Sequence, residues 1–303
     1  NNVRKINNGV KMSQFSYDEL KNLFDKDKVH FYQSSLGILE LEGKDCEKFL
    51  NGISTNDSSM KIQHNLILTN KGRILFDMSI FNQEKIYVIT NALQVQDLID
   101  YLNKYKMSYQ VNIENLSDKF IALKGTHLKI NNNMIWKSPI FLEEDLDVAI
   151  VAKDHKLPES KKIGEEDYFK WKIIHGIPSF PNEINNKIIP IESNMWSTIS
   201  FTKGCYVGQE TIATIRYRGK VPRTLACMSI NGNLENIEEL TNKDRKSVGR
   251  ITSRFFSEKD NMTFALGFIN QEENFDGNVV YNENEEILVR KNLYQLNNLE
   301  TIR

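Results

Sequence analysis

From about residue 221 the sequence stops supplying helical patterns. "TLACMSI", "SVGRITSRFFS", "FALGFI", "NVVYN" and "EILVRK" are short apolar or alternating runs set apart by polar turns. Such runs fit pleated strands and offer no helix-period stripe. Residues 220–303 are therefore expected to form a small all-β module, a barrel or sandwich, with Pro222 at its junction. Upstream the texture is mixed. "GILELEG" alternates as a strand, and Asp45 is placed to cap a helix "CEKFLNGI" with Phe49, Leu50 and Ile53 on one side. "NLILTNKGRILFDMSIF" reads as a hairpin turning at Asn70-Lys71-Gly72. "KIYVIT", "KFIALKG" and "LDVAIVAK" are further strands. "LQVQDLIDYLNKY" is an amphipathic helix, and "EEDYFKWKIIHG" is a helix closed by Gly176. Strands and helices that mix without βαβ regularity give an α+β class for residues 15–219.

The 303 residues suffice for two domains at roughly 100–200 residues each. A formal charge of −1 and a pI near 6.6 give no basic field for nucleic acid. No run of about 18 apolar residues suggests a membrane span. Residues 1–14, opening "NNVRKINNGVK", are basic and polar without an apolar h-region. They read against a secretory signal, as a disordered arm, a cloning remnant or the end of a transit peptide.

Three cysteines, Cys46, Cys205 and Cys227, stand far apart without the spacing of a zinc or cluster site, which predicts free thiols in a reducing compartment. Cys46 and Cys227 lie in apolar settings and are expected to be buried. Cys205 stands between Gly204 and Gly208 in "FTKGCYVGQETIATIRYRG". The glycines suit a tight turn before a helix, and a thiol near a helix N-terminus and two residues from Lys203 has its thiolate favoured. A small residue packing at a turn is the plain alternative, and the residues alone leave the two even.

The motif "KGCYVGQE" (Lys203, Gly204, Cys205, Tyr206, Gly208, Gln209, Glu210) resembles the signature of the YgfZ-type folate-binding proteins, relatives of the glycine-cleavage T-protein (aminomethyltransferase) that assist iron–sulfur cluster assembly. "LEGKDCEKFLNGISTND", "LTNKGRILFDMSIF", "HGIPSFPNE", "IIPIESN", "RYRGKVPRTL", "VGRITS" and "FALGFI" extend the resemblance in order from about residue 30 onward. It implies two interleaved α+β lobes around a central hole that takes a reduced folate such as tetrahydrofolate, followed by a C-terminal β-barrel.

A folate needs a ring wall, acceptors for its amino-pyrimidinone edge and positive charge for its tail. Tyr168 and Trp171 are candidates for the wall, Asp77 and Glu192 for the acceptors, and Arg216 and Arg218, in a basic run with Lys220 and Arg223, for the tail. Each also has a structural reading, as core aromatics, a local cap and a solvated basic face.

Aminomethyltransferases carry two adjacent acids after the hairpin turn; here those positions read Phe76-Asp77, which weighs against aminomethyl transfer. An arginine common after "QE-x-x-A" is Thr214 here, and Arg216, about 200° further round a helix, does not replace it.

One thiolate cannot hold a stable [4Fe–4S] cluster, so no stable metal site is expected, and Cys205 would at most ligate iron transiently. The resemblance implies an assembly or repair factor without classical turnover, with Cys205 and Lys203 at a transfer step. Its partners would be iron–sulfur assembly proteins and client [4Fe–4S] enzymes, with neither nucleic acid nor membrane involved. The expected location is bacterial cytoplasm or a mitochondrial or plastid matrix. A folate-dependent one-carbon transferase or demethylase and a plain binding module are the alternatives.

Overall fold

The computed structural model describes residues 11–13, 15–25, 30–34, 36–128, 130, 134–140, 143, 145–156, 161–219, 221–234 and 237–295. Contacts divide them into two compact units. One comprises residues 11–23, 169–183 and 221–295, the other residues 24–168 and 184–219. The chain thus leaves the barrel unit and returns to it twice.

The barrel unit closes six antiparallel strands on themselves. The order is Ser247–Ser257, Glu239–Thr241, Val279–Asn282, Glu285–Arg290, Arg223–Asn231 and Met262–Asn270, and the last pairs back to the first. At that closing seam two backbones meet over Gly249 and Gly267. A Cβ on Gly249 would lie 2.1 Å from the Phe268 carbonyl oxygen, and one on Gly267 2.4 Å from that of Arg250. Glycine is what lets the seam close. Lys11–Ser13, inside the segment expected to be a disordered arm, instead add a parallel strand to Ser247–Ser257. Residues 1–10 and 14 lie outside the described residues.

The second unit holds two five-stranded sheets. The first runs Ile62–Leu68, Ile74–Asn82, Ile86–Asn91, Leu36–Glu42, Asn112–Asn115. The second runs Lys161–Ile163, His30–Ser34, Phe120–Gly125, Asp147–Ala152, Ile135–Lys137. Alternation decides what each face of the first sheet meets. Leu39, Leu41, Phe76, Met78 and Ile80 point to a core shared with the helices Cys46–Ile53 and Val95–Tyr105. Ile38, Phe81 and Ile89 point the other way and pack on Ala122, Val148 and Ile150 of the second sheet. The two sheets therefore face each other, the arrangement expected of interleaved lobes. Each fully buried Leu, Ile or Phe in these layers contributes roughly 1.5–3 kcal/mol. Asp45 occupies the N-cap position of Cys46–Ile53 but caps nothing there; its carboxylate accepts from the Gln110 amide at 2.8 Å.

Candidate functional site

The hairpin Ile62–Asn82 carries two candidate features, one at its turn and one on its strands. At the turn, the Thr69 carbonyl accepts from the Gly72 amide and the Thr69 hydroxyl from the Arg73 amide. The cysteine motif rests directly on this turn. Gly208, at φ +86°, precedes the helix Gln209–Arg218, and a Cβ there would lie 2.5 Å from the Thr69 carbonyl oxygen. Gly72, at φ +71°, faces Thr211 of the same helix, 3.0 Å from where its own Cβ would be. Only glycines allow this approach at positive φ.

From that anchor the loop runs back through buried Tyr206 to exposed Cys205. Cys205 lies four residues before the first helical residue, Gln209, beyond the reach of the helix dipole's first turn. Cys46 and Cys227 are both buried, as expected. Lys203 does not turn toward Cys205. Its Nζ donates to the carbonyl oxygens of Asn51 at 2.7 Å, Ser54 at 2.7 Å and Asn56 at 2.9 Å. Burial pushes its ammonium down to about 8, while Asp57 pulls it up. The Tyr206 ring centroid lies 5.3 Å from the same Nζ, and burial pushes that phenol up to about 12. Gln209 and Glu210 open the helix, with Glu210 exposed.

On the strands, alternation puts Asp77 and His64 on the face that Phe81 presents to the second sheet, while Phe76 turns into the helix-side core. His64 Nε2 contacts Asp77 Oδ1. His64 is buried, and its Nδ1 has no hydrogen-bond partner among the described residues. The tautomer that suits this is Nε2–H, which leaves no buried donor unmet. The Asp77 side chain keeps a quarter of its surface exposed.

The second sheet answers with its own polar group. Lys124 shares its face with Ala122, which packs on the first sheet. Its Nζ contacts Glu143 Oε2 at 2.8 Å, and Ser138 donates to the same oxygen at 2.8 Å. The Tyr168 hydroxyl donates to Glu143 Oε1. Tyr32 stacks on Tyr168 with centroids 4.4 Å apart. Burial, then Glu143, holds the Tyr168 phenol well above its ordinary range, and Asp77 acts on it in the same direction. The face of one sheet that carries the carboxylate and its histidine thus packs toward the face of the other that carries Lys124, which is joined to Glu143 of a loop and Tyr168 of the helix Glu165–His175.

Tyr168 and Trp171 share the helix Glu165–His175, and Trp171 is buried beside His175, ring centroids 4.6 Å apart. Glu192 is buried, and its carboxylate accepts from the Ile189 amide at 3.0 Å. The Arg216 guanidinium lies 3.8 Å from the Phe201 ring centroid, a cation–π contact. Arg218 ends the motif helix, and Lys220 lies outside the described residues. His64, Lys124, Glu143 and Tyr32 escaped sequence reasoning because none belongs to a short motif. Two-residue periodicity from Phe81 back to Asp77 and across to His64 was the available signal. Among the described residues no group of three or more His, Cys, Asp or Glu side chains is placed to hold a metal ion, and no helix is long and apolar enough to cross a membrane.

No family model matches the chain. It is 27% identical over 231 residues to an uncharacterized protein of Haemophilus influenzae, covering 71% of this chain and 80% of that protein. It is 25% identical over 231 residues to a mitochondrial iron-sulfur cluster assembly factor IBA57 homolog of Neurospora crassa, covering 64% of this chain and 52% of that protein, about half its length. An aminomethyltransferase of Thermoanaerobacter sp. is 20% identical over 319 residues, covering 88% of this chain and 86% of that protein. Among solved structures, the glycine cleavage system aminomethyltransferase T from Bartonella henselae matches with a TM-score of 0.74 at 14% identity, over 90% of this chain and 88% of that one. The chain has the T-protein fold with its C-terminal barrel. The resemblance read from its motifs is borne out by relatives of both kinds, assembly factor and aminomethyltransferase.

Proposed function

We propose that this chain binds a reduced folate, tetrahydrofolate or a close relative, and assists assembly or repair of iron–sulfur clusters with Cys205 at the transfer step. The observation that carries this reading is the contrast among the thiols: Cys46 and Cys227 are buried, and Cys205 is exposed on a loop pinned at both ends. An exposed thiolate can ligate a cluster iron in passing, and a single one must share that cargo with a partner. The partners would be assembly proteins and client [4Fe–4S] enzymes, in keeping with the name of the Neurospora crassa relative. The same relative's mitochondrial designation supports an organelle matrix beside bacterial cytoplasm as the compartment.

The residues fit a folate in kind. Asp77 offers a partly exposed carboxylate between the sheets for the amino-pyrimidinone edge, and His64 fixes its orientation. Glu192 is a second candidate acceptor, already held by the Ile189 amide. Tyr168 is hydrogen-bonded to Glu143 and stacked on Tyr32, and Arg216 lies over the Phe201 ring, a contact that uses its π face and not its N–H donors, so it stays a candidate for the tail. When bound, a folate supplies a carrier for one-carbon units.

The retained Asp77 and its histidine also favour a second reading, one-carbon transfer as in the aminomethyltransferases. Both are tested by rescue in cells lacking their own YgfZ-type protein, assaying aconitase beside an enzyme without a cluster. Wild type is expected to restore aconitase selectively, and Cys205→Ala to fail at matched expression. Equal rescue by Cys205→Ala would make the cysteine structural and move attention to the folate pocket and Asp77, and failure of both wild type and Cys205→Ala would favour the one-carbon reading.

A further inference from the structure

The helix Cys46–Ile53 ends without a basic residue in its last turn. The last carbonyls of a helix lack intrahelical partners and carry the negative end of its dipole, so they need donors and favour a cation. Ser54 supplies part of what is missing, its amide and hydroxyl both donating to the Leu50 carbonyl. The Asn51 and Ser54 carbonyls, with that of Asn56 beyond, are met instead by one ammonium from a residue about 150 positions later in the chain.

We infer that Lys203 is a positioning residue, which caps this helix from outside and thereby fixes the loop that presents Cys205. An ammonium has three N–H bonds, and three carbonyl oxygens take them. None is left for the thiol two residues on. The same loop is stitched to the same segment by its backbone, the Ser200 amide donating to the Thr55 carbonyl at 3.0 Å, and it is closed on itself by the Lys203 amide donating to the Ser200 hydroxyl at 3.2 Å. Tyr206 roofs the ammonium, and Asp57 is the acid that acts on it. The lysine of "KGC" therefore serves geometry, whereas its spacing from Cys205 suggests thiol activation. The inference rests on the reading of Cys205 as the working thiol for its functional meaning only.

The test compares wild type with Lys203→Met, which keeps length and removes charge and donors, and with Lys203→Arg. Two readouts are taken: amide hydrogen exchange over residues 50–56 and 200–206, and the pH profile of Cys205 alkylation by iodoacetamide. In Lys203→Met, exchange should rise about tenfold or more in both segments together, since charge-assisted hydrogen bonds are lost at each end. The alkylation midpoint should stay at the wild-type pH. Lys203→Arg should recover part of the protection. A midpoint that moves to higher pH while exchange is unchanged would make Lys203 a thiol activator and overturn the inference. If Lys203→Met does not fold, exchange in the wild type decides: the two segments should open as one unit, and unrelated opening rates would overturn the strut. Rescue adds a separate arm, in which Lys203→Met should lose aconitase recovery while its thiol still alkylates. Failure of the reading of Cys205 as the working thiol would show as rescue by Cys205→Ala and would leave the exchange and alkylation outcomes untouched.

Discussion

A thiol reacts as its thiolate, so the environment of each sulfur sorts the three cysteines. Burial pushes Cys227 up to about 12, and its sulfur lies 3.9 Å from the Ile173 carbonyl oxygen. Burial first, then Asp45 and Glu42, raises Cys46. Cys205 meets solvent. Native protein should therefore release one equivalent of chromophore from an aromatic disulfide reagent near neutral pH and three after denaturation. Cys205→Ser should release none in the native state; a fast equivalent surviving in that variant would mean that a second thiol is open. Residue identity alone misleads at the neighbouring pair Phe76-Asp77. Adjacent strand residues face opposite ways, and Phe76 packs edge-on to Tyr101 at 5.5 Å in the helix-side core. The acid missing from position 76 would have stood in that core, and the Asp77 carboxylate has a buried histidine, His64, in contact with it. Composition and motif cannot show that; strand parity can.

At the scale of elements, the motif helix and the hairpin turn are one assembly, held at Gly72 and Gly208. The two glycines of the motif look alike in sequence and differ in space. A Cβ on Gly204 meets nothing within 4 Å, whereas one on Gly208 meets the Thr69 carbonyl at 2.5 Å and stands on a residue at φ +86°. Gly208→Ala should cost about 2–4 kcal/mol, adding left-handed strain to overpacking against backbone that cannot step aside. Gly204→Ala should fall within about 0.5 kcal/mol of wild type. Urea unfolding of both variants checks this, and equal midpoints would mean that the turn and the helix are not packed as described. The elements themselves were largely legible. "CEKFLNGI" is helical from Cys46 to Ile53, and the hairpin turns where Asn70-Lys71-Gly72 said it would. The strands Lys11–Ser13 and Glu239–Thr241 were not, because three residues carry no period and each exists through its pairing to Ser247–Ser257.

At the scale of the molecule, the sequence shows a change of texture near residue 221 but not the return of residues 169–183 to the barrel unit, because a discontinuous unit leaves no local mark. Buried Ile173 and Ile174 line one small cavity with Cys227, Met228 and Phe264 of the barrel, and a polar group joins them. The Glu183 carboxylate is buried and accepts from the hydroxyls of Ser253 at 2.6 Å and Thr252, and from the Ser179 amide at 3.1 Å. Burial raises its pKa above the ordinary carboxylate value of 4.5, outweighing these hydrogen bonds, which lower it. A carboxyl with a raised folded-state pKa takes up its proton in the folded state before the unfolded chain does. Between the unfolded and folded values the native state binds more protons, so this group's contribution to stability falls as pH rises through that window and is smallest above it. Glu183→Gln removes the titration while keeping an acceptor for the two hydroxyls. Denaturant unfolding followed from pH 4.5 to 7.5 should therefore show the wild type losing stability relative to Glu183→Gln as pH rises, with Glu183→Ala the least stable at every pH because its hydroxyl and amide donors lose their acceptor. A wild-type curve parallel to that of Glu183→Gln across the range would mean that the carboxylate titrates at its ordinary value, its hydrogen bonds offsetting its burial.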